Sequence, residues 1–179
     1  NVLARTLQEQ DVDFMPMKGV HLSTSLYESI GERPTWDIDL LVPHEHISEV
    51  ERTLLFHGWA GGHHSAYDQR YYRQWMHEIP PLQHVRRLTV LDLHHAILPL
   101  TARIRSDPRP LFENARRLSN LDRLHVLAPA DMVLHSATHL FTEGEWGHGL
   151  RDLVDLDALL RYFSATEPDF WAELGRRAR

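Results

Sequence analysis

Residues 37–42 read Asp-Ile-Asp-Leu-Leu-Val, and their alternation decides the fold. A strand sends successive side chains to opposite faces. Asp37 and Asp39 then share one face, while Ile38, Leu40 and Val42 share the other. One face belongs against a core and the other carries two parallel carboxylates. Pro43 ends the run. A second stretch of this kind is Leu-Thr-Val-Leu-Asp-Leu-His-His-Ala-Ile-Leu at 88–98. Asp92 stands there between Leu91 and Leu93, on one face with Leu88, Val90, His94 and Ala96. A shorter apolar run, Phe14-Met15-Pro16-Met17, predicts a strand at a sheet edge, where proline is tolerated.

Helical periods surround these strands. Leu22, Leu26, Tyr27 and Ile30 predict a helix between Gly19 and Gly31, and Ile47, Val50, Leu54 and Leu55 predict another over 44–57. Residues 66–78 are aromatic-rich and fit no single period. Residues 77–86 are weakly extended. Residues 99–120 read as a connector with one short helix, and Leu124–Leu127 as a further short strand. Pro129 opens a helix to about Glu143. Two more run from Leu150 to Phe163 and from Pro168 onward. The expected class is α/β (α+β), a mixed sheet flanked by helices over 1–100, followed by a connector and helical C-terminal lobe over 101–179.

Composition narrows the function. The chain has 179 residues, 42% apolar and 25% charged, ordinary values for a globular protein with a real core. No apolar run reaches the length of a membrane span. The net charge, 19 − 25 = −6, opposes dedicated DNA binding, which needs a basic face for the phosphates. The absence of cysteine excludes disulfides, thiolate zinc sites and cysteine nucleophiles, and fits a cytoplasmic location. A chain that starts at Asn1 and runs in helical period to Arg179 is expected to be part of a longer gene product.

The carboxylates carry the chemistry. Two parallel aspartates repel unless a cation lies between them, and a hard ion such as Mg²⁺ (or Mn²⁺) wants oxygen donors of this kind. A third carboxylate, Asp92, would complete a cage able to align an attacking oxygen with a triphosphate. The plainer readings are a solvated strand end at Asp37 and Asp39, and an Asp92 paired with arginine. Lys18-Gly19 lies between a strand and a helix, where a tight turn, free N–H groups and a positive charge suit phosphate. A plain turn with a surface lysine fits it equally. The 14 histidines raise a transition-metal alternative. His135 and His139 share a helix face that Glu143 continues, although Ser136 stands where a zinc protease has glutamate. The adjacent pairs His63-His64 and His94-His95 point to opposite faces and make no obvious chelate. His94 and His77 stand near the acidic residues.

Four segments taken in order, MKGVHLSTSLYESIGERPTWDIDLLV (17–42), VLDLHHAIL (90–98), LHVLAPADMVLHSATHLF (124–141) and GLRDLVDLDALL (149–160), resemble the polymerase-β-like nucleotidyltransferase superfamily. More closely, the chain resembles a bacterial family of uncharacterised nucleotidyltransferases, with abortive-infection nucleotidyltransferase toxins as cousins. The resemblance covers roughly residues 12–163. It implies Asp37 and Asp39 as the metal-binding pair and Asp92 as third carboxylate and base. Lys18 and Gly19 stand at the phosphate loop. Val20 replaces the serine common there, which leaves the contact to Ser23, Thr24 or Ser25. Arg33 becomes a phosphate or structural partner. His139 and Asp155 occupy recurring helix positions beside the site, with His94 and His77 close by. The implied activity is Mg²⁺-dependent transfer of a nucleotidyl group from a nucleoside triphosphate to a hydroxyl acceptor, which is a small molecule, a protein side chain or an RNA end. Two alternatives stay open: a catalytically inactive nucleotide- or protein-binding module, motivated by Val20, and a metal hydrolase built on His135 and His139.

Overall fold

The computed structural model describes residues 12–17, 37–62, 65–104, 106–117, 124–142 and 149–179. The chain divides into two compact units, Asn1–Val126 and Leu127–Arg179.

Among the described residues of the first unit, five strands form one mixed sheet. They are β1 (Met15–Met17), β2 (Asp37–Leu41), β3 (Trp59–Gly61), β4 (Leu82–His84) and β5 (Val90–His94). Their order across the sheet is β1-β2-β5-β4-β3. Only β2 and β5 pair in parallel; the other neighbours are antiparallel. Proline in β1 falls on an edge strand, where a missing N–H costs no ladder bond. The even positions of β2 and the odd positions of β5 supply Leu40, Leu91 and Leu93 to the core. Helix α1 (Ile47–Phe56), entered through a tight turn at His44–His46, covers that face with Ile47, Val50 and Leu54. Burying such side chains contributes about 1.5–3 kcal/mol each.

Residues 66–75 form α2 (Ala66–Trp75), in the stretch whose period was ambiguous. None of its residues is buried; Tyr67, Tyr71 and Trp75 line one face, and Tyr72 on another obscures that period in sequence. Its start is set by a capping box instead. Asp68 N–H donates to Ser65 Oγ at 3.1 Å, and Ser65 N–H donates to Asp68 Oδ2 at 3.0 Å. Strand β5 begins at Val90 rather than at Leu88. Leu88 sits at φ +58°, left-handed, in the turn that joins β4 to β5. His84 holds that turn: its Nδ1 accepts from the N–H groups of Arg86 and Arg87, and its carbonyl accepts from Leu88 N–H. Helix α3 (Arg109–Glu113) follows, then a small antiparallel ribbon of β6 (Arg116–Arg117) and β7 (His125–Val126).

The second unit holds α4 (Pro129–Thr142), α5 (Gly149–Thr166) and α6 (Phe170–Arg177). Leu159, Phe163 and Phe170 are buried, and the last two rings lie 5.8 Å apart. Asp131, in the first turn of α4, accepts from the Arg177 guanidinium at 2.6–2.8 Å, which ties the end of α6 to the start of α4. Side-chain exposure is 13% for Arg177 and 3% for Asp131, so the pair is shielded from water. Among the described residues no helix is long and apolar enough to cross a membrane. Removing one partner leaves a buried charge, so Arg177→Met alone should destabilise by about 3–5 kcal/mol. The double variant Asp131→Leu/Arg177→Met should recover much of that loss, as read by denaturant melts followed by circular dichroism.

Candidate active site

The site is built on the parallel pairing of β2 with β5. The register sets Asp37 opposite Val90, Asp39 opposite Asp92 and Leu41 opposite His94. Cross-strand partners share a face, and neighbouring strands lie about 4.8 Å apart. Asp39 and Asp92 therefore stand side by side on the face that turns away from Leu40, Leu91 and Leu93. Position 37 falls on the same face, one alternation earlier. Asp39 is 6% exposed, and Asp92 is half-buried. Carboxylates this close repel in a low-dielectric setting. The pair is an all-oxygen donor set, and it fits a hard divalent cation.

The far side of β5 brings further groups. The segment His77–Ile79 runs beside the end of β5: Ile79 N–H donates to Leu93 O at 3.0 Å and His95 N–H to His77 O at 2.8 Å. Glu78 thus faces His94 across an antiparallel bridge. His94 Nε2 lies 3.2 Å from Asp39 Oδ1 and 3.4 Å from Glu78 Oε2. The ring of His77 lies 5.2 Å from that of His94. Tyr72, on α2, completes the surroundings. Burial, and then the negative charges of Glu78 and Asp92, push its pKa up, so its hydroxyl keeps its proton and is a donor.

The register of β2 and β5 sets Asp39 beside Asp92, and His94 and His77 adjoin that pair. Lys18, Gly19, Ser23 and Arg33 lie outside the described residues, as do Val20, His63, His64, Glu143 and the side chain of Asp37. His139 and Asp155 sit on α4 and α5 of the second unit, both half-buried. Among the described residues the metal-capable cluster is His77, Glu78 and His94, not one that includes His135 or His139. Glu78 and Tyr72 are the functional candidates that sequence reading missed. Glu78 follows a helix end and precedes Ile-Pro-Pro, with no alternation to give it a face. Its only signal was its place in a weakly extended stretch.

A family model described as "uncharacterised nucleotidyltransferase" matches residues 1–179. No curated protein sequence matches the chain. Among solved structures, the solution structure of the antibiotic-resistance factor ANT(2'')-Ia is 13% identical. It covers 98% of this chain and 89% of its own, with TM-score 0.56. A crystal structure of ANT(2'')-Ia in complex with adenylyl-2''-tobramycin is 11% identical, covering 99% and 95%, also at 0.56. An antigenic nucleotidyltransferase-like protein from Paracoccidioides brasiliensis is 13% identical, covering 90% and 73%, at 0.51. At these identities the likeness is one of fold.

His95, next to the site, is 3% exposed, and its ring meets His44 edge-on at 4.7 Å. Burial, with His44 and His94 as positive neighbours when charged, pushes its pKa down to about 4. The unfolded chain takes up this proton first as pH falls below about 6.5. Stability supplied by neutral His95 is therefore present above that pH and lost progressively toward pH 4. The melting temperature should fall over that window, and His95→Gln should give a shallower slope than the parent chain.

Proposed function

This chain belongs to the uncharacterised nucleotidyltransferase family, and we propose that it moves a nucleotidyl group from a nucleoside triphosphate to the hydroxyl of a small molecule, with Mg²⁺ or Mn²⁺ held by Asp37, Asp39 and Asp92. The observation that carries this reading is the register that sets Asp39 against Asp92 on neighbouring parallel strands. A divalent cation there would neutralise charge on the triphosphate and lower the cost of in-line displacement. Asp39 and Asp92 orient the reacting oxygens through that shared face. Asp92 accepts the proton of the acceptor hydroxyl. The hydroxyl oxygen bonds to the α-phosphorus, the bond from that phosphorus to the bridging oxygen breaks, and pyrophosphate leaves.

Other residues take supporting parts in the proposal. Lys18, Gly19, Ser23 and Arg33 bind phosphates. Tyr72 donates a hydrogen bond toward the carboxylates, and His94 holds Asp39 in place. A small-molecule acceptor is favoured over RNA by the net charge of −6. A fold neighbour in complex with adenylyl-2''-tobramycin points the same way. A cytoplasmic, bacterial setting fits a cysteine-free user of nucleoside triphosphates.

Thermal-shift titration with each ribonucleoside triphosphate tests the reading. A ligand at 100 times its Kd should stabilise by about 2.7 kcal/mol. The shift should need both Mg²⁺ and the triphosphate and vanish in Asp39→Asn. In a transfer assay with an accepted hydroxyl, Asp92→Asn should lower kcat by about 10²- to 10⁴-fold. A folded protein that shows no shift with any triphosphate would overturn the proposal.

A further inference from the structure

Transfer chemistry of this kind uses oxygen donors. It gives His77 and Glu78 no part, and together with His94 of β5 they make a second set of donors. His77, Glu78 and His94 each offer one donor atom, and the three atoms lie within 4.8 Å of one another. Backbone pairing holds them there without any ion. His94 ends β5, and the hydrogen bonds from Ile79 to Leu93 and from His95 to His77 flank Glu78 on both sides. Donors fixed by a sheet are preorganised, which spares the ordering cost that a loop site would carry.

The spacing suits a small ion. Two ligands each about 2.1 Å from a tetrahedral centre are about 3.4 Å apart. His94 Nε2 and Glu78 Oε2 are 3.4 Å apart. Asp39 Oδ1 lies 3.2 Å from the same Nε2 but outside the three-donor cluster, which leaves the fourth position to water. His94 is 5% exposed, and its buried Nδ1 has no hydrogen-bond partner among the described residues. The ring proton therefore belongs on Nε2, between the two carboxylates, and an ion that binds there displaces it. The donor types also select. Mg²⁺ is poorly served by imidazole, whereas two imidazoles and a carboxylate suit zinc, cobalt or nickel.

We propose that His77, Glu78 and His94 form a site for a divalent transition-metal ion of the zinc class, different in chemistry from the carboxylate pair of Asp39 and Asp92. An ion that takes Nε2 of His94 removes its contact with Asp39. Occupancy is then felt in the magnesium pocket, a consequence that rests on the transferase reading. Binding of the ion does not rest on it.

The test is direct binding. The full chain, stripped with a chelator and free of nucleotide and Mg²⁺, is titrated with Zn²⁺ by calorimetry and with Co²⁺ by visible absorption. One equivalent of each should bind, and Co²⁺ should give the intense visible band of four-coordinate geometry. A hundredfold excess of Mg²⁺ should not displace either ion. His77→Ala and Glu78→Gln should each weaken binding at least tenfold, whereas Asp92→Asn should change it less than threefold. Circular dichroism verifies the fold of every variant, and the half-buried Glu78→Gln isostere reports even where His77→Ala fails to fold. Absence of stoichiometric binding, binding unchanged in both variants, or displacement by equimolar Mg²⁺ would each overturn the site. Triphosphate binding, followed separately through its Mg²⁺-dependent thermal shift, can fail while this site stands, and the reverse holds too.

Discussion

The parallel pairing of β2 with β5 is the constraint on which the first unit depends. It joins strands more than fifty residues apart, and its register aligns two patterns at once. Leu40, Leu91 and Leu93 go to the core, and Asp39 and Asp92 go to the opposite face. A slip of one residue would reverse every side chain on the moved strand. It would bury carboxylates in apolar surroundings and set leucines in the site. The hydrophobic cost of that slip is what holds two like charges side by side. Core packing thus supplies the free energy that their repulsion spends.

His94 sits where two kinds of chemistry meet. Its Nε2 is within reach of Asp39 on one side and Glu78 on the other. As a hydrogen-bond donor it steadies a carboxylate; as a lone-pair donor it would bind an ion. A neutral imidazole cannot do both from one nitrogen. The neighbouring His95, held neutral by burial, adds no charge to this balance at pH 7. Tyr72 keeps its proton for a like reason, since burial and then the charges of Glu78 and Asp92 disfavour a phenolate.

The second unit is stabilised differently. Its three helices meet over few buried aromatic and leucine side chains, and a shielded Asp131–Arg177 pair closes their ends. Asp131 looks in sequence like any acidic residue in a first helical turn, where the helix dipole favours it. Its partner lies 46 residues on. No local pattern could pair them, because nothing in a helical period says which residues of a distant helix end will face it.

Much of the site was legible because strands write their faces locally. Alternation at 37–42 and 90–94 assigned Asp39 to one side and Leu40 to the other, and placed Asp92 with His94. The edge position of Pro16 and the helix opened by Pro129 followed from a missing N–H. Helix α2 was not legible, since none of its residues is buried and Tyr72 obscures the period that Tyr67, Tyr71 and Trp75 set. Glu78 and Tyr72 were missed for a related reason: each reaches the site through partners remote in sequence. By itself the sequence determined which side chains share a face, because that depends only on the geometry of the local backbone. Only the tertiary structure decided which faces meet, because register, cross-strand neighbours and shielding from water arise when distant segments pack to bury a common core.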